Sequence, residues 1–168
     1  ECEGDEFTVI GGYESGVDAA LNLVELGKSV GIHSRGEPWS SDHPDPSRSL
    51  SPRTFDRLRK ILQSSDKTKS LELYKNSDIR RIEESEGWWT LFDQDDIPSV
   101  SQPRPILANG FHSGLGPIEK LFEFDDNNLP VFTEEADEST ITTGLFYSGP
   151  ALVHRNSLFC FIYKFRAR

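Results

Sequence analysis

The stretch VIGGYESGVDAA, residues 9–20, decides how the chain is read. An apolar run, FTVIGG (7–12), ends in glycines, and SGVDAALNLVELG (15–27) follows at helical period. Val17, Ala20, Leu21 and Val24 share one face of that helix, and Gly27 supplies its stop. A strand running through a glycine turn into an amphipathic helix suits one task well. Three glycines there allow a tight turn, a close approach of backbone to a pyrophosphate, and close packing of helix on strand. Gly11 and Gly16 occupy the first and third places, Gly12 adds freedom between them, and Tyr13 stands at the second. Its ring can point away, stack on a ligand, or block the phosphate path.

Working outward, SVGIHS (29–34) is a second strand, followed by a Pro-, Ser- and Asp-rich loop. A second helix starts at Ser51 as N-cap with Pro52 at its first position, and Phe55, Leu58, Ile61 and Leu62 form its apolar stripe. SLELYKN (70–76) reads as a third strand. The order β-α-β-α-β predicts a parallel sheet. SDIRRIEE (77–84) and WWTLFD (88–93) then read as an antiparallel hairpin around SEG (85–87), with one of Trp88 and Trp89 facing in and the other out. RPILANGF (104–111) returns to a buried-strand pattern. The acidic tract 123–140 reads as a solvated connection, ahead of a last apolar segment at 144–153.

The end of the second strand sets nucleotide preference, because an acid there accepts from the ribose 2′-hydroxyl of NAD. Residues 32–35 hold no acid. Ser34 and Arg35 can instead neutralise and hydrogen-bond a 2′-phosphate, which favours NADP(H); the alternative is that Arg35 is a solvated loop residue. Arg48 and Arg53 are weaker candidates, suited to the surface and to the start of the second helix. Ser15 can cap the first helix or donate to a phosphate, with capping the simpler role, and Glu14 is awkward beside a pyrophosphate.

Bulk properties bound the remaining classes. The 168 residues suit one domain with an appendage. A mean hydropathy of −0.52 is low but globular, since 18 residues are aromatic (3 Trp, 4 Tyr, 11 Phe). A formal charge of −10 leaves no excess of cations to displace counterions, which argues against nucleic acid as a partner. No run of 18 apolar residues exists, so no membrane span is expected, and the first residues do not resemble a signal peptide. Cys2 and Cys160 form no CxxC, which fits a reducing, cytoplasmic setting and argues against a dithiol redox centre within the chain. His33, His43, His112 and His154 lack ligand spacing, so no metal site is expected. No GxSxG elbow supports a hydrolase. The chain contains no Met and begins ECEGDE, and it reads as a piece of a longer protein or one trimmed at its start.

Three stretches, VIGGYESGVDAA, PILANGF and GLFYSGP, occur in the order found in two-dinucleotide-domain flavoproteins. The chain resembles the thioredoxin-reductase-like and flavin-monooxygenase-like group of pyridine nucleotide-disulfide oxidoreductases, near the relatives of bacillithiol disulfide reductase. The resemblance implies an α/β, Rossmann-like three-layer fold of FAD/NAD(P)-binding type, with a parallel sheet, helices and an antiparallel β flap. It implies an NAD(P)-binding domain at 1–111 and, at 112–168, a connection and return segment like the C-terminal part of an FAD-binding domain. The family's Ala-Thr-Gly link is met by Ala108-Asn109-Gly110, which places Gly110 near the cofactor. Its second FAD motif is met by LFYSGP (145–150), where Gly149 is kept and Pro150 replaces the usual acid. An acid at the place of Glu14 faces the nicotinamide end in that group, and one of two second-strand arginines is kept as Arg35.

The function implied is NADPH positioning for hydride transfer to an FAD held mainly outside this chain. The partners are then NADPH and an FAD domain of the same parent chain, with a homodimer compatible, and the isolated piece is expected to be inactive. The nucleotide residues are Gly11, Gly12, Tyr13, Glu14, Ser15, Gly16, Ser34, Arg35, Gly110 and Gly149, and none is expected to be catalytic. A rival from another class is a non-catalytic nucleotide-sensing or interaction domain on a degenerate Rossmann fold, motivated by Tyr13, Asn109 and Pro150. A complete single-domain reductase is weaker, since no Tyr-x-x-x-Lys pair is present. The electron acceptor is not written in these residues.

Overall fold

The computed structural model describes residues 4–41, 49–64, 70–110, 115–126, 128–133 and 135–147. Four short runs build a parallel sheet: β1 (Glu6–Ile10), β2 (Ser29–His33), β3 (Leu71–Tyr74) and β7 (Ile106–Leu107), ordered β3-β2-β1-β7. Register runs Val9 to Ile32 on one side of β1 and Val9 to Ile106 on the other. The alternating burial of β1 and β2 leaves Val9 and Ile32 fully enclosed, as strands covered on both faces require.

Helix α1 (Glu14–Glu25) lays Val17, Ala20, Leu21 and Val24 into the same core, the four residues its period selects. Leu26 and Gly27 end it, with Gly27 at φ +82. Helix α2 (Pro52–Leu62) begins as its sequence dictates, with Ser51 Oγ accepting from the Thr54 N–H and Pro52 in the first turn. Its buried face differs from the expected stripe. Thr54 and Leu58 are buried and Ile61 packs on the core, whereas Phe55 and Leu62 are exposed. That face is the one that meets α1. Thr54 donates to the Glu14 carboxylate, and Arg57 binds Asp18, Asn22 and Glu25 along α1, its contacts to Asn22 and Glu25 being 2.7 and 3.0 Å.

The antiparallel flap contains β4 (Arg81–Ser85), β5 (Trp88–Phe92) and β6 (Pro98–Ser101), in that order. Glu86 and Gly87, both at positive φ, make the two-residue turn that suits a hairpin twist. Trp88 is exposed and Trp89 half-buried, as alternation requires, while Leu91 is enclosed. Strand β6 was not legible in PSVS, which offers one aliphatic side chain. Helices, parallel sheet and antiparallel flap form the α/β, Rossmann-like arrangement expected.

The chain divides between Asn109 and Gly110 into two compact units. In the second, Phe122 and Phe132 pack edge-to-face and Tyr147 stacks on Phe132, beside β8 (Glu123–Phe124) and β9 (Pro130–Val131). The acidic tract is therefore folded around aromatic anchors rather than being a solvated connection. Ser139 Oγ donates to the Leu121 carbonyl at 2.7 Å, tying its ends. The final apolar segment lies largely outside the described residues. The buried face of α2 is testable by urea unfolding: Leu58→Ala should cost about 2–5 kcal/mol, and Phe55→Ala well below that, whereas equal losses would contradict the assigned face.

Candidate functional site

The turn between β1 and α1 is built from backbone alone. Gly11 has φ +116, and a β-carbon placed on it would fall 2.2 Å from the Ala108 carbonyl oxygen. A β-carbon on Gly16 would fall 1.8 Å from the Gly11 carbonyl oxygen. Glycine is thus demanded at the first and third places by the turn itself and by the seating of the helix. The Gly11 N–H donates to the His33 carbonyl at 2.9 Å, and the Ala108 N–H to the Ile10 carbonyl at 2.7 Å. The ends of β1, β2 and β7 therefore converge on this turn, at the carboxyl edge of the sheet where open α/β folds bind ligands.

Tyr13 is the N-cap of α1, at φ −89 and ψ −170. That extended backbone suits any residue, so the turn needs no glycine there, and the ring is 48% exposed. Tyrosine supplies no capping acceptor, and no side chain caps this helix, so its first-turn amides keep their donors. Ser15 is not the cap: it lies within the first turn and is exposed. The fit to an anionic ligand is good on this count, since amides and helix dipole meet at one point.

Glu14, expected toward the nicotinamide end, is turned onto α2. Its carboxylate accepts from the Ser51 N–H at 2.8 Å, the Ser51 hydroxyl at 2.7 Å and the Thr54 hydroxyl. Burial would raise its pKa, but these three bonds outweigh burial and hold it below the ordinary value of 4.5. An acid at the mouth of a phosphate loop is tolerable when its oxygens are spent in this way.

Ser34 and Arg35 leave β2 in opposite senses. Ser34 is buried, its N–H donating to the Tyr74 carbonyl at 2.9 Å, and its hydroxyl lies under Gly12. A β-carbon on Gly12 would fall 2.5 Å from Ser34 Oγ and 2.7 Å from Trp39 Cζ3. Arg35 is exposed and makes no ion pair among the described residues. Beneath them His33 donates to or accepts from Ser77 Oγ through Nδ1 at 2.8 Å and stacks on Tyr74 at 4.6 Å. Burial pushes the His33 pKa down, against the opposing pull of Asp93.

Gly110, at φ +85 with open space around it, begins the second unit. Gly149, Pro150 and Arg48 lie outside the described residues, as do Cys2, Cys160, His43, His112 and His154. Among the described residues no group of His, Cys, Asp or Glu could hold a metal, and no helix is long and apolar enough to cross a membrane. Sequence reasoning missed Trp39 over Gly12 and the Glu14–Ser51–Thr54 cluster. The Arg57 dock left a signal, since Asp18, Asn22 and Glu25 recur at helical spacing on α1.

A glycine turn feeding a helix beside three converging parallel strands defines a dinucleotide-binding domain of the Rossmann class. The family profile described as pyridine nucleotide-disulphide oxidoreductase matches residues 1–149, and the chain belongs to that family. Membership implies FAD and a nicotinamide nucleotide as the cofactors. Among solved structures, bacillithiol disulfide reductase from Staphylococcus aureus is similar with a TM-score of 0.63 and 18% identity, over 95% of this chain and 46% of that one. The Bacillus cereus enzyme of the same name gives 0.62 and 22%, over 89% and 43%. A pyridine nucleotide-disulfide family oxidoreductase from Enterococcus faecalis gives 0.63 and 16%, over 86% and 31%. The chain thus spans between about a third and a half of these relatives.

The bonds to Glu14 set a pH dependence. Its folded pKa is depressed, so its contribution is fully present above pH 4.5 and is lost as pH falls through the folded value. Glu14→Gln should flatten that acid limb, read as urea midpoints on either side of that pH, while an unchanged limb would mean that the carboxylate contributes nothing there.

Proposed function

We propose that this chain is the NADP(H)-binding part of an FAD-dependent oxidoreductase, with residues 1–111 holding the nucleotide and 112–168 returning toward the FAD-binding fold. The observation that carries the reading is a backbone-lined turn, Gly11–Gly16, with an exposed Arg35 just past the neighbouring strand that makes no ion pair among the described residues. First-turn amides of α1 receive the pyrophosphate. Gly11 and Gly16 keep that turn tight, and Tyr13 stands at its rim. Arg35 meets the 2′-phosphate with its planar guanidinium. Ser34 supports the turn from below by its place under Gly12, a role narrower than direct phosphate contact. Gly110 and Gly149 belong to the link and return motifs that lead to the flavin.

When bound, the reduced nicotinamide supplies a hydride, two electrons with one proton, which reduces a flavin as the nicotinamide becomes oxidised. This chain's share is to bind and orient, because it offers no acid–base pair of its own at the turn. The rest of the parent supplies the flavin site and the acceptor's site, which fits a chain spanning under half of its structural neighbours. The lack of a CxxC among these residues fits a cytoplasmic parent whose acceptor chemistry lies elsewhere.

Calorimetric titration tests the reading. NADPH should bind ahead of NADH, and Arg35→Glu should weaken NADPH by about ten- to hundredfold, the worth of a charge-assisted hydrogen bond, while sparing NADH. Equal affinity of the variant for NADPH would remove Arg35 from the site. Binding of neither nucleotide would favour the sensing or interaction reading.

A further inference from the structure

Segment 34–41 folds back over the carboxyl edge of the sheet instead of leaving it. The Gly36 N–H reaches Ser34 Oγ at 3.4 Å, Pro38 is buried, and Ser40 N–H donates to the Glu37 carbonyl at 2.9 Å in a 3-10 turn, Pro38–Ser40. Glu37 also pairs with Lys75 at 3.1 Å, beyond the end of β3. These contacts deliver Trp39 onto the nucleotide turn. Its Cζ3 edge lies 2.7 Å from where a Gly12 β-carbon would stand, and the side chain packs against the core while staying only partly buried. Gly12 is therefore glycine for the sake of Trp39 and Ser34, which is a different reason from that at Gly11 or Gly16.

This tryptophan lies four residues after Arg35, on the segment leaving β2, which in this class of fold faces the adenosine half of a dinucleotide. We infer that Trp39 is the platform for the adenine ring: the part of the indole left uncovered by the core stacks on the base, and its edge against Gly12 couples that stacking to the pyrophosphate turn. Every base offers a π-face to an aromatic platform, so the contact supplies affinity, while Arg35 supplies the choice between phosphorylated and plain ribose. The inference rests on the nucleotide reading above and assigns its adenosine end to a residue outside the glycine motif.

The test uses the full chain with the two halves of the nucleotide, 2′,5′-ADP and nicotinamide mononucleotide, and with NADPH. The expected result is quenching of tryptophan emission by 2′,5′-ADP that disappears in Trp39→Leu, although Trp88 and Trp89 still emit. Trp39→Leu should weaken 2′,5′-ADP about tenfold, as loss of one base–aromatic stack does, and leave nicotinamide mononucleotide unchanged. Trp39→Phe, which keeps a ring and the core contact, should restore most of the affinity and guards against a folding defect in the leucine variant. If NADPH binds the wild type while both variants hold 2′,5′-ADP as tightly as it does, the platform is overturned and the nucleotide reading stands. If the wild type binds neither NADPH nor 2′,5′-ADP, both are overturned together.

Discussion

Three backbone segments meet within van der Waals distance at one point: the end of β1 at Gly11, the first turn of α1 at Gly16, and the link at Ala108. A β-carbon at either glycine would fall on a carbonyl oxygen, 2.2 Å away at Gly11 and 1.8 Å at Gly16. Everything at the carboxyl edge follows from that crowding. The helix sits close enough for Val17, Ala20, Leu21 and Val24 to fill the core with Val9 and Ile32. Its amino end starts at the carboxyl edge of the sheet, where β1 is paired with β7 to its last residue, Ile10. Packing rests on these missing side chains, and the proposed nucleotide site uses the same ones, as in folds where a ligand approaches backbone.

Around that point the protein places its charges with care. Glu14 would repel a phosphate if its carboxylate lay free at the helix start. Spending both oxygens on Ser51 and Thr54 turns the acid into a bond between α1 and α2, and the Arg57 dock along Asp18, Asn22 and Glu25 repeats the bond further along the helices. Arg35 is left uncommitted, although the chain carries ten more negative than positive charges overall. Exposed ion pairs are individually weak, so leaving Arg35 without one among the described residues costs little stability and keeps its guanidinium available to a ligand.

Much of the fold was legible because its signals are local. Apolar β-branched runs, helical period and an Ser-Pro helix start gave β1, α1, β2, α2 and β3 nearly at their observed limits. What failed needed tertiary knowledge. The buried face of α2 carries Thr54 and Leu58 with Ile61 packed beside them, and the contacts of Thr54 and Arg57 with α1 lie along it, so Phe55 faces solvent where a stripe argument puts it inside. Strand β6 is carried by pairing with β5, since its serines have no preference strong enough to announce it. The acidic tract looked solvated because Phe122, Phe132 and Tyr147 are spaced too irregularly to show a period, yet together they form a core.

At the site the split is similar. The glycines were visible because a turn has a strict grammar. At Tyr13 the angles φ −89 and ψ −170 suit any residue, so the turn itself asks for no glycine there. Trp39, twenty-seven residues from Gly12, could be found by no spacing rule, because an irregular loop brings it back.

The proposed role of the Gly11–Gly16 turn is to cradle a dinucleotide. The most direct measurement is a backbone amide spectrum of the isotopically labelled chain, recorded as NADPH is added. The account predicts that the largest shifts fall on the amides of Gly12 through Gly16 and on Arg35, with the antiparallel flap's outer edge unmoved. Shifts confined to other parts of the chain, with the turn silent at saturation, would contradict it.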